Sequence, residues 1–215
     1  MHTNLLKRRR IGAVAFAGAL AVALVILLSS CVDVVSELRL GDDGSGTLTL
    51  RYTVAKALLN LGTTDEENRF YAFPISEEDF RDTVDAIDGL SLSSFDTAEE
   101  VDVVRVESEL SFTSIDALSD FFSSSGPGAV ELITDGDVTT FRHTLFEGTG
   151  APPDAESARL IEAFFDGYEA AFSLRVPSEI VSVSAGAFDG KTASVDFAIP
   201  EVVTSEDAIV WEVSW

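Results

Sequence analysis

Between Val34 and Val54 apolar and polar residues alternate with period two, interrupted once by a run of turn-forming residues, and that pattern demands a β-hairpin. Val34, Leu38 and Leu40 fall on one strand face, with Glu37 and Arg39 on the other. Asp42, Asp43, Gly44, Ser45 and Gly46 supply the turn. Leu48, Leu50, Tyr52 and Val54 then resume the alternation against Thr47, Thr49, Arg51 and Thr53. Whatever the rest of the chain does, it has to cover the apolar face of that hairpin.

Downstream, helix-period and period-2 segments are interspersed. A short helix is expected over Ala55–Leu61, with an exposed loop over Thr63–Asn68. Ser76 and Asp79 form a capping box ahead of the stripe Phe80, Val84, Ile87, and Gly89 closes that helix. A long strand follows, with Val104, Val106, Leu110 and Phe112 inward and Arg105, Glu107 and Glu109 outward. Thr113 or Ser114 caps a helix whose apolar set is Ile115, Leu118, Phe121 and Phe122. Val130–Thr134 and Val138–Phe146 pair around Asp135-Gly136. A longer helix is expected from Asp154 to Ala171, its stripe Ile161, Phe164, Phe165, Tyr168 and Phe172 weakened by Gly167. Strands are expected over Phe172–Val176, which Pro177 halts, over Ile180–Ala185, around Ala193–Ile199, and from Ile209 to Trp215. The expected fold is α+β, with antiparallel hairpins forming a sheet or partial barrel packed against three to four helices. Residues 31–215 read as one such domain.

The first 30 residues have a different character. Lys7, Arg8, Arg9 and Arg10 precede an uncharged, largely apolar run from Ile11 to Leu28, and Ser29, Ser30 and the single cysteine, Cys31, follow. Positive charge ahead of an apolar helix keeps that end cytoplasmic and sends the rest outward. An uncleaved anchor is one reading of the run. Leu28-Ser29-Ser30-Cys31 resembles the lipobox of bacterial lipoprotein signals, and this gives the lone thiol a use. The resemblance implies removal of residues 1–30, a diacylglyceryl thioether on Cys31, usually a further amide-linked chain, and a mature domain tethered to the cell membrane or outer membrane. Two or more acyl chains hold a protein stably at a leaflet.

The chain has 14 basic and 37 acidic residues, and all four basic residues of the first 30 belong to the signal. The remainder has 10 basic against 37 acidic residues, a formal charge of −27, with Lys56 and Lys191 as its only lysines. That field repels nucleic acid and excludes it as a partner. A solvated surface, diffuse calcium binding and capture of a cationic partner each account for the acidity. Asp42-Asp43-Gly44 lacks the alternating ligands of a calcium loop and is better explained as a turn.

The order of these features is similar to that of the LppM-type bacterial envelope lipoproteins. The features are the lipobox cysteine, the Asp43–Gly46 turn, Gly89-Leu90 opening a strand, the Phe112-Thr113-Ser114 corner, Val176-Pro177 and the Asp189-Gly190 turn. The resemblance implies an α+β domain displayed at the envelope, in contact with lipid or glycolipid, and no catalytic residues.

Chemistry-bearing residues are sparse. Beyond the signal His143 is the only histidine, there is no Gly-x-Ser-x-Gly elbow, and its neighbours Phe141 and Leu145 suit a partly buried or edge histidine. With no second histidine or cysteine, neither a metal site nor a cofactor is expected. Phe164, Phe165, Tyr168 and Phe172 are candidates to line an apolar pocket, or else belong to an ordinary core. Trp211 suits the core, while Trp215 is left open. The expected function is a lipid-anchored, non-enzymatic binding module, attached to the membrane through Cys31, for a lipid or glycolipid. The alternatives are a structural or assembly lipoprotein binding an envelope protein, and a carboxylate-pair hydrolase.

Overall fold

A computed structural model describes residues 32–56, 74–125 and 128–215. The N-terminal signal, most of the helix expected over Ala55–Leu61 and the loop Thr63–Asn68 lie outside the described residues. The described chain is α+β, with eleven strands in two sheets and four helices, and neither sheet closes into a barrel.

The opening hairpin forms as its alternation demands. Strands β1 (Val32–Leu40) and β2 (Gly46–Ala55) pair antiparallel, with Leu38 opposite Leu48. Gly41 N–H donates to the Ser45 carbonyl at 2.7 Å to close the turn. Gly46 is required by packing, because a Cβ there would stand 2.0 Å from the Arg39 carbonyl oxygen and 2.6 Å from the Phe112 ring.

Helix α1 (Glu77–Asp85) starts at Ser76, whose hydroxyl accepts from Asp79 N–H at 3.1 Å, and it buries Phe80 and Val84. Strands β3 (Leu90–Glu99) and β4 (Val103–Phe112) form the next hairpin, with β4 against β2. A bulge between Leu92 and Ser94 puts Leu90, Leu92 and Phe95 into the core despite their uneven spacing. Helix α2 (Ile115–Ser125) is held at its start by Ser114, whose hydroxyl accepts from Ala117 N–H at 3.2 Å. It buries Ala117, Leu118, Phe121 and Phe122.

Strands β5 (Val130–Asp135) and β6 (Val138–Phe146) form the hairpin expected around Gly136. Helix α3 (Ala155–Phe165) begins at Asp154, which caps Glu156 and Ser157 N–H. This helix ends six residues earlier than the spacing suggests. Asp166 closes it, Gly167 takes a left-handed φ of +81°, and strand β7 starts at Glu169. β7 (Glu169–Arg175) pairs parallel with β1 from Val32 onward, so the chain has to be extended by that point. Phe172 is therefore a strand residue and not the last member of a helical stripe.

Strand β8 (Ser182–Val183) is a remnant of the longer strand expected over Ile180–Ala185. β9 (Ala187–Asp189) and β10 (Thr192–Ala198) turn at Gly190. Helix α4 (Ile199–Thr204), which the sequence pattern does not announce, leads to β11 (Ile209–Ser214). The seven-stranded sheet has the order β3-β4-β2-β1-β7-β10-β9, and the four-stranded sheet β5-β6-β11-β8.

The buried face of the large sheet meets α1, α2 and the small sheet. Phe80 packs on Phe95 with ring centroids 5.4 Å apart and on Phe121 at 6.1 Å. Phe122 lies 4.6 Å from His143, which meets Phe172 of the large sheet edge-on at 6.0 Å. His143 is 3 % exposed and sits on β6, an interior strand, so it joins the two sheets inside the core instead of lying at an edge. Trp211 is also buried, its indole N–H donating to the Ala185 carbonyl at 3.2 Å.

Outside, each sheet carries an arginine between two glutamates. Arg51 reaches Glu37 at 2.7 Å and Glu107 at 3.0 Å, and Arg142 reaches Glu212 at 2.7 Å and Glu131 at 2.9 Å. Exposed pairs of this kind add little net stability. Their effect is to relieve like-charge repulsion on a strongly acidic surface.

One row across the large sheet alternates large and small residues: Phe95, Ser108, Leu50, Ser36, Phe172 and Val195. The Ser108 hydroxyl is buried with no hydrogen-bond partner among the described residues. An orphaned hydroxyl costs more to desolvate than it returns. Ser108→Ala is expected to raise stability by about 1 kcal/mol, read as a higher urea midpoint at unchanged m-value.

Candidate functional site

Parallel pairing of β1 with β7 sends both strands out of the large sheet at the same end. Leu40 therefore leads into the Gly41–Ser45 turn beside the place where Arg175 leads into Val176 and Pro177. β4 ends there too, because Gly46 pairs with Phe112, and α2 starts just beyond it. The β5–β6 hairpin delivers Thr134 and Thr139 to this end, and Trp215 is fixed to Thr139 by two backbone hydrogen bonds of 2.9 Å.

A cleft of about 470 Å³ opens between these pieces. One wall is the turn Gly41, Asp42, Asp43 and Gly44, and a second is the start of α2, Ser114 and Ile115. The small sheet contributes Leu132, Thr134 and Thr139, and the remaining lining is Pro177, Ser178 and Trp215. Trp215 is partly buried against the core and also lines the cleft, which resolves the role left open by sequence.

Asp43 is held by its own turn. Its Oδ1 accepts from the Ser45 hydroxyl at 2.6 Å and from Ser45 N–H at 3.1 Å. These bonds, the hydroxyl first, keep its carboxyl below the usual carboxylate range. Asp42 is exposed beside it. Both acids stand on one wall, and the rest of the described lining supplies hydroxyls, apolar side chains and an indole. Among the described residues no group of three or more histidine, cysteine, aspartate or glutamate side chains is placed to hold a metal ion.

Of the candidate pocket aromatics, Phe165 and Tyr168 do not share a surface with Phe172. The Phe164 ring lies outside the described residues. Phe165 and Tyr168 are half-buried and meet edge-on at 6.2 Å where α3 passes into β7. Phe172 lies four residues further along β7, ~13 Å away at strand rise, buried against His143. The corner formed by Phe165 and Tyr168 is at the opposite end of the large sheet from the cleft, because Glu169 pairs with Val32.

The sequence contained the pieces of the cleft without their assembly. Asp42-Asp43-Gly44 reads as a turn, Pro177 as a strand stop and Trp215 as an uncommitted aromatic; the parallel register brings the first two together, and the pairing of Trp215 with Thr139 adds the third.

The bonds to Asp43 have a measurable consequence. Its carboxyl is expected to titrate below the ordinary value of about 3.9, and Ser45→Ala should move it back up. A depressed native pKa contributes stability that is complete above the unfolded-state pKa and is lost as pH falls through the native one. A carbon-detected NMR titration of Asp43 in the two proteins checks this, and equal midpoints would contradict it.

No family model matches the chain, and no curated protein matches it. Among solved structures it is similar to the NMR structure of the folded domain of the Mycobacterium tuberculosis LppM protein. The identity is 7 %, the match covers 85 % of this chain and 87 % of that one, and the TM-score is 0.47.

Proposed function

We propose that this chain is a lipid-anchored envelope protein whose domain acts by binding and not by catalysis. The observation that carries the reading is the start of β1 at Val32, one peptide bond after Cys31. A lipidated Cys31 would leave no linker residue between the anchor and the first residue of β1. The cleft lies past the other end of β1. Val32 to Leu40 spans roughly 26 Å at strand rise. A domain held in this way presents its cleft away from the leaflet.

The lining suits a hydroxyl-bearing ligand with one apolar face. Trp215 offers a flat ring, Ser114, Thr134, Thr139 and Ser178 offer hydroxyls, and Asp42 offers an exposed carboxylate acceptor. The glycan part of a glycolipid has that chemistry, and an acyl chain does not. Hydrolysis by a carboxylate pair needs acids facing each other across a bond. Here both acids are on one turn, and Asp43 is already occupied by Ser45.

The anchor is tested by expressing the full chain and its Cys31→Ala variant in a lipoprotein-processing bacterium fed a labelled fatty acid. The expected outcome is label and membrane association for the parent, and loss of both in the variant. Equal labelling of the two would overturn the reading.

A further inference from the structure

The end of the large sheet that carries Val32 has features of its own. At this end Val54 aligns with Val104 in the β2–β4 register, and Val32 pairs with Glu169 in the β1–β7 register. Two elements project beyond that row. One is the tip of the β3–β4 hairpin, Glu100 to Asp102, two strands from β1 and so ~10 Å to the side. The other is the corner between α3 and β7, with Phe165 and Tyr168 immediately before Glu169.

The hairpin tip is unusual for this surface. Val101 is 90 % exposed, the most exposed of the large apolar side chains among the described residues. The acids around it are offset by scarce cations: Lys56 pairs with Glu99 at 3.1 Å and Arg105 with Glu100 at 3.1 Å. Lys56 N–H also donates to the Asp102 carbonyl at 2.8 Å, tying the tip to the end of β2. A chain with 37 acidic residues has thus placed one of its two lysines outside the signal where it offsets one of the three acids, Glu99, Glu100 and Asp102, beside an exposed valine.

We infer that this end of the domain is a membrane-contact face, with Val101 and the Phe165–Tyr168 corner resting in the headgroup region of the leaflet that holds Cys31. The inference rests on the proposed lipidation of Cys31 and specifies the orientation that lipidation imposes. The occupant is the bilayer, because β1 begins one residue after Cys31 and leaves no chain to hold this end away from it. Aromatic side chains with a polar tip, such as Tyr168, favour the interface. The overall charge dictates a zwitterionic surface, since anionic headgroups would repel the domain.

The test uses the full lipidated chain in phosphatidylcholine vesicles. Cys31 is the only cysteine, so once it is acylated an introduced thiol takes a nitroxide alone. Val101→Cys places the label at the proposed face, and Asp137→Cys places it on the exposed β5–β6 tip at the cleft end. Power saturation should show the label at 101 protected severalfold from a water-soluble nickel relaxant relative to 137, with higher oxygen exposure. Equal nickel accessibility at both sites, with Cys31 acylation verified by mass, would overturn the contact face and leave the anchor intact. An unmodified Cys31 would overturn the anchor and the face together.

Discussion

The parallel pairing of β1 with β7 is the interaction on which the rest of the structure depends. Every other pairing in both sheets is antiparallel. This one joins the N-terminal hairpins to the C-terminal strands, and residues 32–39 meet residues 169–175 across it. It sets two ends. At one stand the start of β1, the β3–β4 tip and the α3–β7 corner, and at the other the turns and termini that wall the cleft. An antiparallel β7 would carry Pro177 and Ser178 to the first end and remove one wall of the cleft.

Stability in this chain comes from packing, because a single cysteine provides no disulfide. The central ring cluster runs from Phe80 through Phe121 and Phe122 to His143 and Phe172, crossing from helix to small sheet to large sheet. Against this the acidic surface is a destabilising load through self-repulsion. Arg51 and Arg142, each shared between two glutamates on the solvent face of its sheet, offset like-charge repulsion there. The pair on Arg51 raises its pKa, through Glu37 first and then Glu107, so it stays charged throughout.

Much of the fold was legible because local chemistry and tertiary demand agree. The Asp43–Gly46 turn, the Ser76 cap and the Gly136 turn form where their residues require. The failures have specific causes. Ser93-Ser94 breaks the alternation of β3, and the bulge that repairs it is a tertiary device. The Ile161–Phe172 spacing fits a helix, yet β1 needs an extended partner from Glu169, and Gly167 lets the chain change. No sequence periodicity encodes a parallel pairing between segments more than 130 residues apart. The cleft is therefore unreadable as an assembly from sequence, although its turn and Trp215 are each visible there. Phe165 and Tyr168 read in the sequence as part of a helical stripe, while the structure places them at the sheet end where β1 begins.

The claim that one end of the sheet meets the leaflet and the other presents the cleft is tested most directly by Trp215. In a Trp211→Phe background it is the only tryptophan and it lines the cleft. With the lipidated protein on vesicles containing brominated phosphatidylcholine, Trp215 emission should be unaffected by the lipid bromines and quenched by aqueous acrylamide. Strong quenching by the brominated lipid would place the cleft against the membrane and contradict the orientation.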